Sequence, residues 1–316
     1  MKTRFLNIFF CAVSALMAFS CSNPEVDIMD AVQVVVSPER VLSSFNLYKE
    51  TDVDFDKIDG YVPKIRITAL LYDKASGNLI SKSEGTVSDF ANSYKFYLAS
   101  TSGEKTLVCF STVILGNLEK PYHEAYSITG EQSLSTLKVE SHLNSYLLSF
   151  MGYSISNLND EKSVNVSLQP GVALVYLRYE NIHARDSKNV DKYMIWHHSN
   201  DIARVNGNSL SFSTTLTTDS SYNNSLEPAD YDKSKYTNIY SLICLFPGTI
   251  KMQGSYNIGN NRTFFGEQNV TLKMGHQYVF NLDCTNAAMS FYEGELGSKS
   301  GLDSDLPELE KCIDIL

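Results

Sequence analysis

The stretch TDVDFDKIDG sets Asp52, Asp54, Asp56 and Asp59 close together before Gly60. Alternating carboxylates at that spacing are the donor set that a hard cation such as calcium takes. An EF-hand needs glycine at the sixth loop position and an acid at the twelfth, and here Lys57 and Pro63 stand at those places. The stretch therefore reads first as a solvated acidic loop, with calcium as the alternative. His197 and His198 are adjacent in a strand-like run, so their side chains point to opposite faces and do not readily share a metal. One of them is expected in the core beside Trp196 or facing water. Ser135-Thr136-Leu137-Lys138 matches SxxK only as a serine-rich chain does by chance, and no GxSxG, HExxH or phosphate-binding glycine loop occurs. The expectation is a protein that is not an enzyme, with no catalytic residues and no dissociable cofactor.

Cys21 carries a different chemistry. Lys2 and Arg4 form a basic start, and Phe5 to Phe19 is apolar apart from Asn7 and Ser14. A final membrane span wants about 20 apolar residues, so this run reads as a signal segment over residues 1–20. Ala18-Phe19-Ser20-Cys21 resembles a bacterial lipobox, in which the cysteine thiol is alkylated with diacylglycerol and becomes the first residue. With acyl chains on Cys21 the chain is anchored to a membrane and does not span it. Residues 21–30 read as a polar tether. No Asp follows Cys21 directly, which by resemblance to Gram-negative lipoproteins points to the outer membrane.

Loss of residues 1–20 with Lys2 and Arg4 leaves 24 basic against 36 acidic side chains, a net charge of −12. With no Lys/Arg cluster to neutralise phosphates, a nucleic-acid partner is excluded. Nineteen Tyr and sixteen Phe beside a single Trp favour strands. Cys109, Cys244 and Cys284 each sit in an apolar run and read as buried thiols, while Cys312 lies near the C-terminus.

Alternation runs through most of the chain. In KIRITALLY (64–72), Ile65, Ile67, Ala69 and Leu71 share one face, and Asp73 to Asn78 is a turn. The same grammar marks strands at 94–99, 106–114, 164–168, 172–179, 192–197, 240–246, 269–273 and 277–283. Only Leu143, Tyr146, Leu147, Phe150 and Met151 form a helical face, predicting one short helix. Short strands punctuated by Gly, Asn, Asp and Ser predict an all-β chain of sandwiches. Pro170-Gly171 separates two apolar runs, giving domains at 31–170 and 171–290 and a tail at 291–316.

The lipobox-like start, the strand GEKTLVCF (103–110), the junction NVSLQPGVALVYL and LKMGHQYVFNLD near the end together resemble the fimbrillin and fimbrial-anchor lipoproteins of Bacteroidetes. Gln169-Pro170 stands where that family usually carries a basic residue. The resemblance implies two consecutive transthyretin-like, Greek-key β-sandwich domains over residues 28–290, a place in cell-surface fimbriae and no chemistry. It also implies assembly with other fimbrial subunits by β-strand addition, in which a partner's strand completes an open sandwich. Stalk subunits of the family lose an N-terminal segment after a basic residue, and anchors keep it. Here AVQVVV (31–36) is the strand concerned and Arg40 the matching processing site. The expectation is that the strand stays and that Cys21 tethers an anchor or accessory subunit. The alternative is a surface glycan-binding lipoprotein, with Tyr222, Tyr231, Tyr236 and Tyr240 offering stacking faces. In the tail, Asp303 to Leu316 reads as a helix, with a donated strand as its rival.

Overall fold

The computed structural model describes residues 31–37, 62–87, 93–116, 123–142, 151–181, 192–217, 221–226, 239–258 and 260–295. Cys21, Arg40, the acidic loop with Asp52, Asp54, Asp56 and Asp59, Tyr231, Tyr236, Cys312 and the tail helix at 303–316 lie outside the described residues.

Up to Pro170 the strands are β1 (Ala31–Ser37), β2 (Val62–Asp73), β3 (Leu79–Val87), β4 (Tyr94–Ala99), β5 (Lys105–Gly116), β6 (His123–Glu124), β7 (Tyr126–Thr129), β8 (Lys138–Ser141), β9 (Met151–Leu158), β10 (Ser163–Ser167) and β11 (Gln169–Pro170). Beyond it come β12 (Ala173–Glu180), β13 (Lys192–Asn200), β14 (Ile202–Asn206), β15 (Ser209–Ser213), β16 (Tyr222–Leu226), β17 (Ile239–Ile258), β18 (Asn261–Leu272), β19 (His276–Asp283) and β20 (Ala288–Glu295). The fold is all-β, and among the described residues there is no helix. Of the expected helical face only Met151 is described, and there the expectation fails: Met151 opens β9, pairs with Thr112 and is fully buried. β-Sheet pairing with β5 outweighs the local helical spacing at that position.

β2 and β5 form the centre of the first half. Their register puts Ala69 opposite Cys109 and Leu71 opposite Leu107, so Ile65, Ile67, Ala69 and Leu71 do share a face. That face looks toward a three-stranded sheet ordered β10-β1-β4, with the Tyr94 ring seated against Gly85. A Cβ at Gly85 would stand 2.6 Å from the Tyr94 hydroxyl, so the residue must be glycine for the two sheets to close. The other face of β2 and β5 carries Leu70, Tyr72, Val108 and Phe110, and it is buried too. Tyr72 Oη donates to the Glu131 carbonyl at 3.0 Å, fastening this face to the connection between β7 and β8.

The covering layer is a sheet ordered β15-β14-β8-β7, which joins both halves of the chain. The β14–β15 hairpin pairs Ile202 with Glu140 and Ala203 with Val139, so residues beyond Pro170 complete the packing of strands before it. Gly130 turns β7 into this layer at φ +68°, and a Cβ there would lie 2.1 Å from the Thr136 carbonyl oxygen.

β17 gives the second half its two layers. Its first part pairs with β12, which lies parallel to β19; its second part pairs with β13 and β18. The bend falls at Pro247-Gly248, where Gly248 has φ +137° and Asn200 Nδ2 donates to the Pro247 carbonyl. The two layers face each other over Val175, Leu177, Met252, Phe265, Tyr278 and Phe280. On the reverse face of the β12 layer, Leu174, Cys244, Phe246 and Val279 pack into the core of the first half. The Phe246 ring lies 5.5 Å from Tyr126 and 5.4 Å from Phe212.

Cys109, Cys244 and Cys284 are buried thiols outside any disulfide, and burial pushes those of Cys109 and Cys244 up to about 12. That keeps them protonated and unreactive at neutral pH. His197 is 1 % exposed with Nδ1 3.0 Å from Ser199 Oγ, whereas His198 on the opposite face is half-buried, as strand geometry requires.

Two outcomes follow from this packing. Phe246→Ala removes the ring that links the halves and is expected to cost about 3–5 kcal/mol, measured by urea denaturation with far-UV circular dichroism. Glu140, Glu267 and Glu293 are held below the ordinary carboxylate range chiefly by hydrogen bonds from Lys138, Lys251 and Lys273. A depressed folded-state pKa gives stability that is fully present above the unfolded value of about 4.3 and is lost as pH falls through the lower folded value. The urea midpoint should therefore hold between neutral pH and about pH 5 and drop steadily below about pH 4.

Candidate assembly site

β1 reads AVQVVVS, a run whose β-branched side chains suit a pleated surface. It lies in the middle of its sheet, antiparallel to β4 and parallel to β10. Val34, for instance, stands opposite Phe96 on one side and Val164 on the other. Val32, Val34 and Val36 point into the core and are at most 2 % exposed. At about 2 kcal/mol per fully buried valine, those three side chains contribute on the order of 6 kcal/mol.

The outer face is tied down by polar contacts. Gln33 Nε2 donates to Tyr97 Oη at 2.9 Å, and Ser163 Oγ donates to Gln33 Oε1 at 3.3 Å. Ser37 and Ser93 hydroxyls meet at 3.2 Å near the other end. At the Ala31 end a cleft of about 200 Å³ opens between Ser100 to Ser102 and Asp160 to Lys162. Lys105 forms its floor, 1 % exposed, with Nζ donating to the Gly103 and Asn159 carbonyls at 2.6 and 2.9 Å.

Neither neighbour of β1 is the next strand in the chain, for one comes from residues 94–99 and the other from 163–167. Among the described residues β4 and β10 do not pair with each other, and β1 is the strand that bridges them. Withdrawing β1 would leave a groove walled by two strands with free inward edges and floored by Ile65, Ile67 and Ala69. An open groove of that shape accepts an added strand through main-chain hydrogen bonds, with pockets for every second side chain.

The 31–36 run is thus placed by the structure as a strand, as expected of AVQVVV. Its central position was not readable, since it depends on partners 58–68 and 130 residues away. Of the tyrosines proposed for stacking, Tyr222 lies in β16 and Tyr240 in β17, so both belong to strands. Among the described residues no three His, Cys, Asp or Glu side chains converge on a metal position.

No family model matches the chain. No curated protein matches it either. Among solved structures, it is similar to a candidate polysaccharide-binding protein of Bacteroides thetaiotaomicron, with 14 % identity, a TM-score of 0.48, and 84 % of this chain and 96 % of that one covered. A candidate cell-adhesion protein of Bacteroides uniformis gives 9 % identity and a TM-score of 0.47 over 86 % of this chain and 99 % of that one. The fimbrial anchor protein Mfa2 of Porphyromonas gingivalis gives 11 % identity and 0.41 over 73 % and 88 %. Similarity at this level transfers neither an activity nor a partner.

The geometry of β1 sets two neighbouring substitutions apart. Val34→Asp places a carboxylate in the core and should cost at least about 4 kcal/mol, whereas Val35→Asp on the outer face should cost under about 1 kcal/mol. Chemical denaturation of the two variants side by side checks the assignment of faces.

Proposed function

We propose that the chain is a cell-surface fimbrial anchor, accessory or structural subunit that assembles with other subunits by strand complementation and so supports adhesion. The observation that carries this reading is the central place of β1, whose two neighbours are distant in sequence and unpaired with each other. An N-terminal strand held in that way can be supplied by its own chain or by another without altering any other pairing. The lipobox-like Cys21 supports attachment to the outer membrane through acyl chains, upstream of the strand. In the anchor form Cys21 and β1 are both retained; a subunit processed after Arg40 loses both and receives a strand from its neighbour.

The strand can be tested directly. A chain starting at Val41 is expected to expose the apolar groove, bind a hydrophobic dye and self-associate. A synthetic peptide AVQVVVS added during refolding should restore a monomer, and a peptide with the valines at positions 32, 34 and 36 changed to Asp should not. Size-exclusion chromatography reads both. A truncated chain that stays monomeric and dye-free without peptide would refute complementation at this groove. Intact-mass measurement of the protein from its native envelope then separates a lipidated Cys21 start from a start at Val41.

A further inference from the structure

The groove that β1 fills runs on past the end of the strand. Its last row pairs Ala31 with Ala99, and beyond that row lies the cleft of about 200 Å³ between Ser100 to Ser102 on one wall and Asp160 to Lys162 on the other. The floor changes character at the same point. In β5, Leu107 and Cys109 stand opposite Leu71 and Ala69 on the face turned to β1, and Lys105, opposite Asp73, is the next residue of that face. The floor is therefore apolar beneath the inward valines and becomes an ammonium group one row further out. Val32 and Lys105 both line the cleft at this change.

Lys105 is 1 % exposed, so its charge has to be met by protein groups. An ammonium group has three N–H donors. Two of them go to the Gly103 and Asn159 carbonyls at 2.6 and 2.9 Å. Asp160 Oδ1 stands 3.8 Å away, an ion-pair distance that is too long for a hydrogen bond. That carboxylate is 80 % exposed, and the same oxygen accepts the Gly103 N–H at 3.3 Å. Glu161 lies on the rim with Oε2 accepting the Asn159 N–H, and the exposed Lys162 offsets its charge. Among the described residues the third donor of Lys105 thus has no acceptor within hydrogen-bonding distance.

We propose that this cleft is a carboxylate pocket, with Lys105 at its floor, that reads the residue two places before the first inward valine of the strand in the groove. Side chains alternate along a strand, so the inward series Val36, Val34 and Val32 continues to position 30. The sequence has Asp30 there, outside the described residues. A carboxylate at that position accepts the remaining Lys105 N–H and gives a loosely paired buried cation a short, charge-assisted hydrogen bond. It also fixes the register. AVQVVV carries valine on both faces, so its apolar pattern does not specify which residues turn inward. The charge does: a slip by one residue sets Met29 or Ala31 against the ammonium, and a slip by two sets Ile28 or Val32 there. The choice among donated strands follows from the same contact and rests on the strand-complementation reading: a partner's strand fits when an acid precedes its inward apolar residues by two places.

The chain's own strand is the probe of what the groove prefers. In the mature chain, Asp30→Asn should raise the urea unfolding constant about tenfold, and Asp30→Lys, which sets two cations together, should raise it further. Asp27→Asn, three residues earlier and of the opposite parity, should change it less than twofold. In a Lys105→Met background, Asp30→Asn should also change it less than twofold. Because Lys105→Met strips a donor from two carbonyls as well, nitrogen-resolved NMR of the lysine ammonium groups supplies a readout without it. A Lys105 signal protected from exchange should be seen, and it should move with Asp30→Asn but not with Asp27→Asn. An Asp30→Asn effect under twofold, an equal effect of Asp27→Asn, an undiminished Asp30→Asn effect in the Lys105→Met background, or a Lys105 signal indifferent to Asp30→Asn would overturn the proposal. The truncation test fails separately: coupling of Asp30 to Lys105 in a protein whose Val41-start form stays monomeric and dye-free would refute strand exchange and leave the pocket with the chain's own strand as its occupant.

Discussion

The structure depends on burying both faces of its central strands. β2 and β5 meet one sheet through Ile67 and Cys109 and another through Leu70 and Phe110, and β12 does the same through Val175 on one side and Leu174 on the other. A strand so covered must have every backbone group paired within its sheet, because no water reaches it. That requirement explains why residues beyond Pro170 fold back as the β14–β15 hairpin: without it the Leu70–Phe110 face would be open. It also explains the bend in β17, which lets one strand close the second sandwich with its later part while its early part presents Cys244 and Phe246 to the first core.

β1 is the exception to this interlocking. Its burial is one-sided, its register is independent of any turn, and its three valines contribute on the order of 6 kcal/mol against a typical total stability of 5–15 kcal/mol. A segment that supplies so large a share, through inward valines and pairing to two strands, makes folding and occupancy of the groove nearly the same event. Assembly by exchange of such a strand needs no new surface; the groove that completes the monomer is the groove that a partner would fill.

The first half holds β1 between two strands distant from it in sequence, and in the second the Arg262 guanidinium lies over the Trp196 ring across β13, β17 and β18. Flat antiparallel sheets with one face on the core leave the other face to carry side chains chosen for something besides packing.

Local pattern alone located most of the strands. β4 matches the alternating run at 94–99 in both bounds, and the turn after Tyr72 forms where Asp73 and Gly77 signal it, with the Ser76 backbone N–H donating to Asp73 Oδ1. Period-two burial imprints itself on residue type most clearly where inward and outward residues differ, as in β4, where Phe96 and Leu98 are buried and Lys95 and Tyr97 exposed. The first part of β18, NRTFFGEQ, was missed because its outward residues are polar and Gly266 interrupts it, although Phe264 and Phe265 side by side were a signal for a ring on each face. The hairpin at 202–213 was missed for the same reason: its strands are short and largely exposed. A helix was read at 143–151 from spacing that, at Met151, the pairing with β5 overrides. What the sequence by itself determined is the all-β class and the likeness to Bacteroidetes surface subunits. Which strand sits between which others, and which side chains meet across β17, only the tertiary structure decided, because those contacts join residues far apart in the chain and leave no periodic trace in either segment.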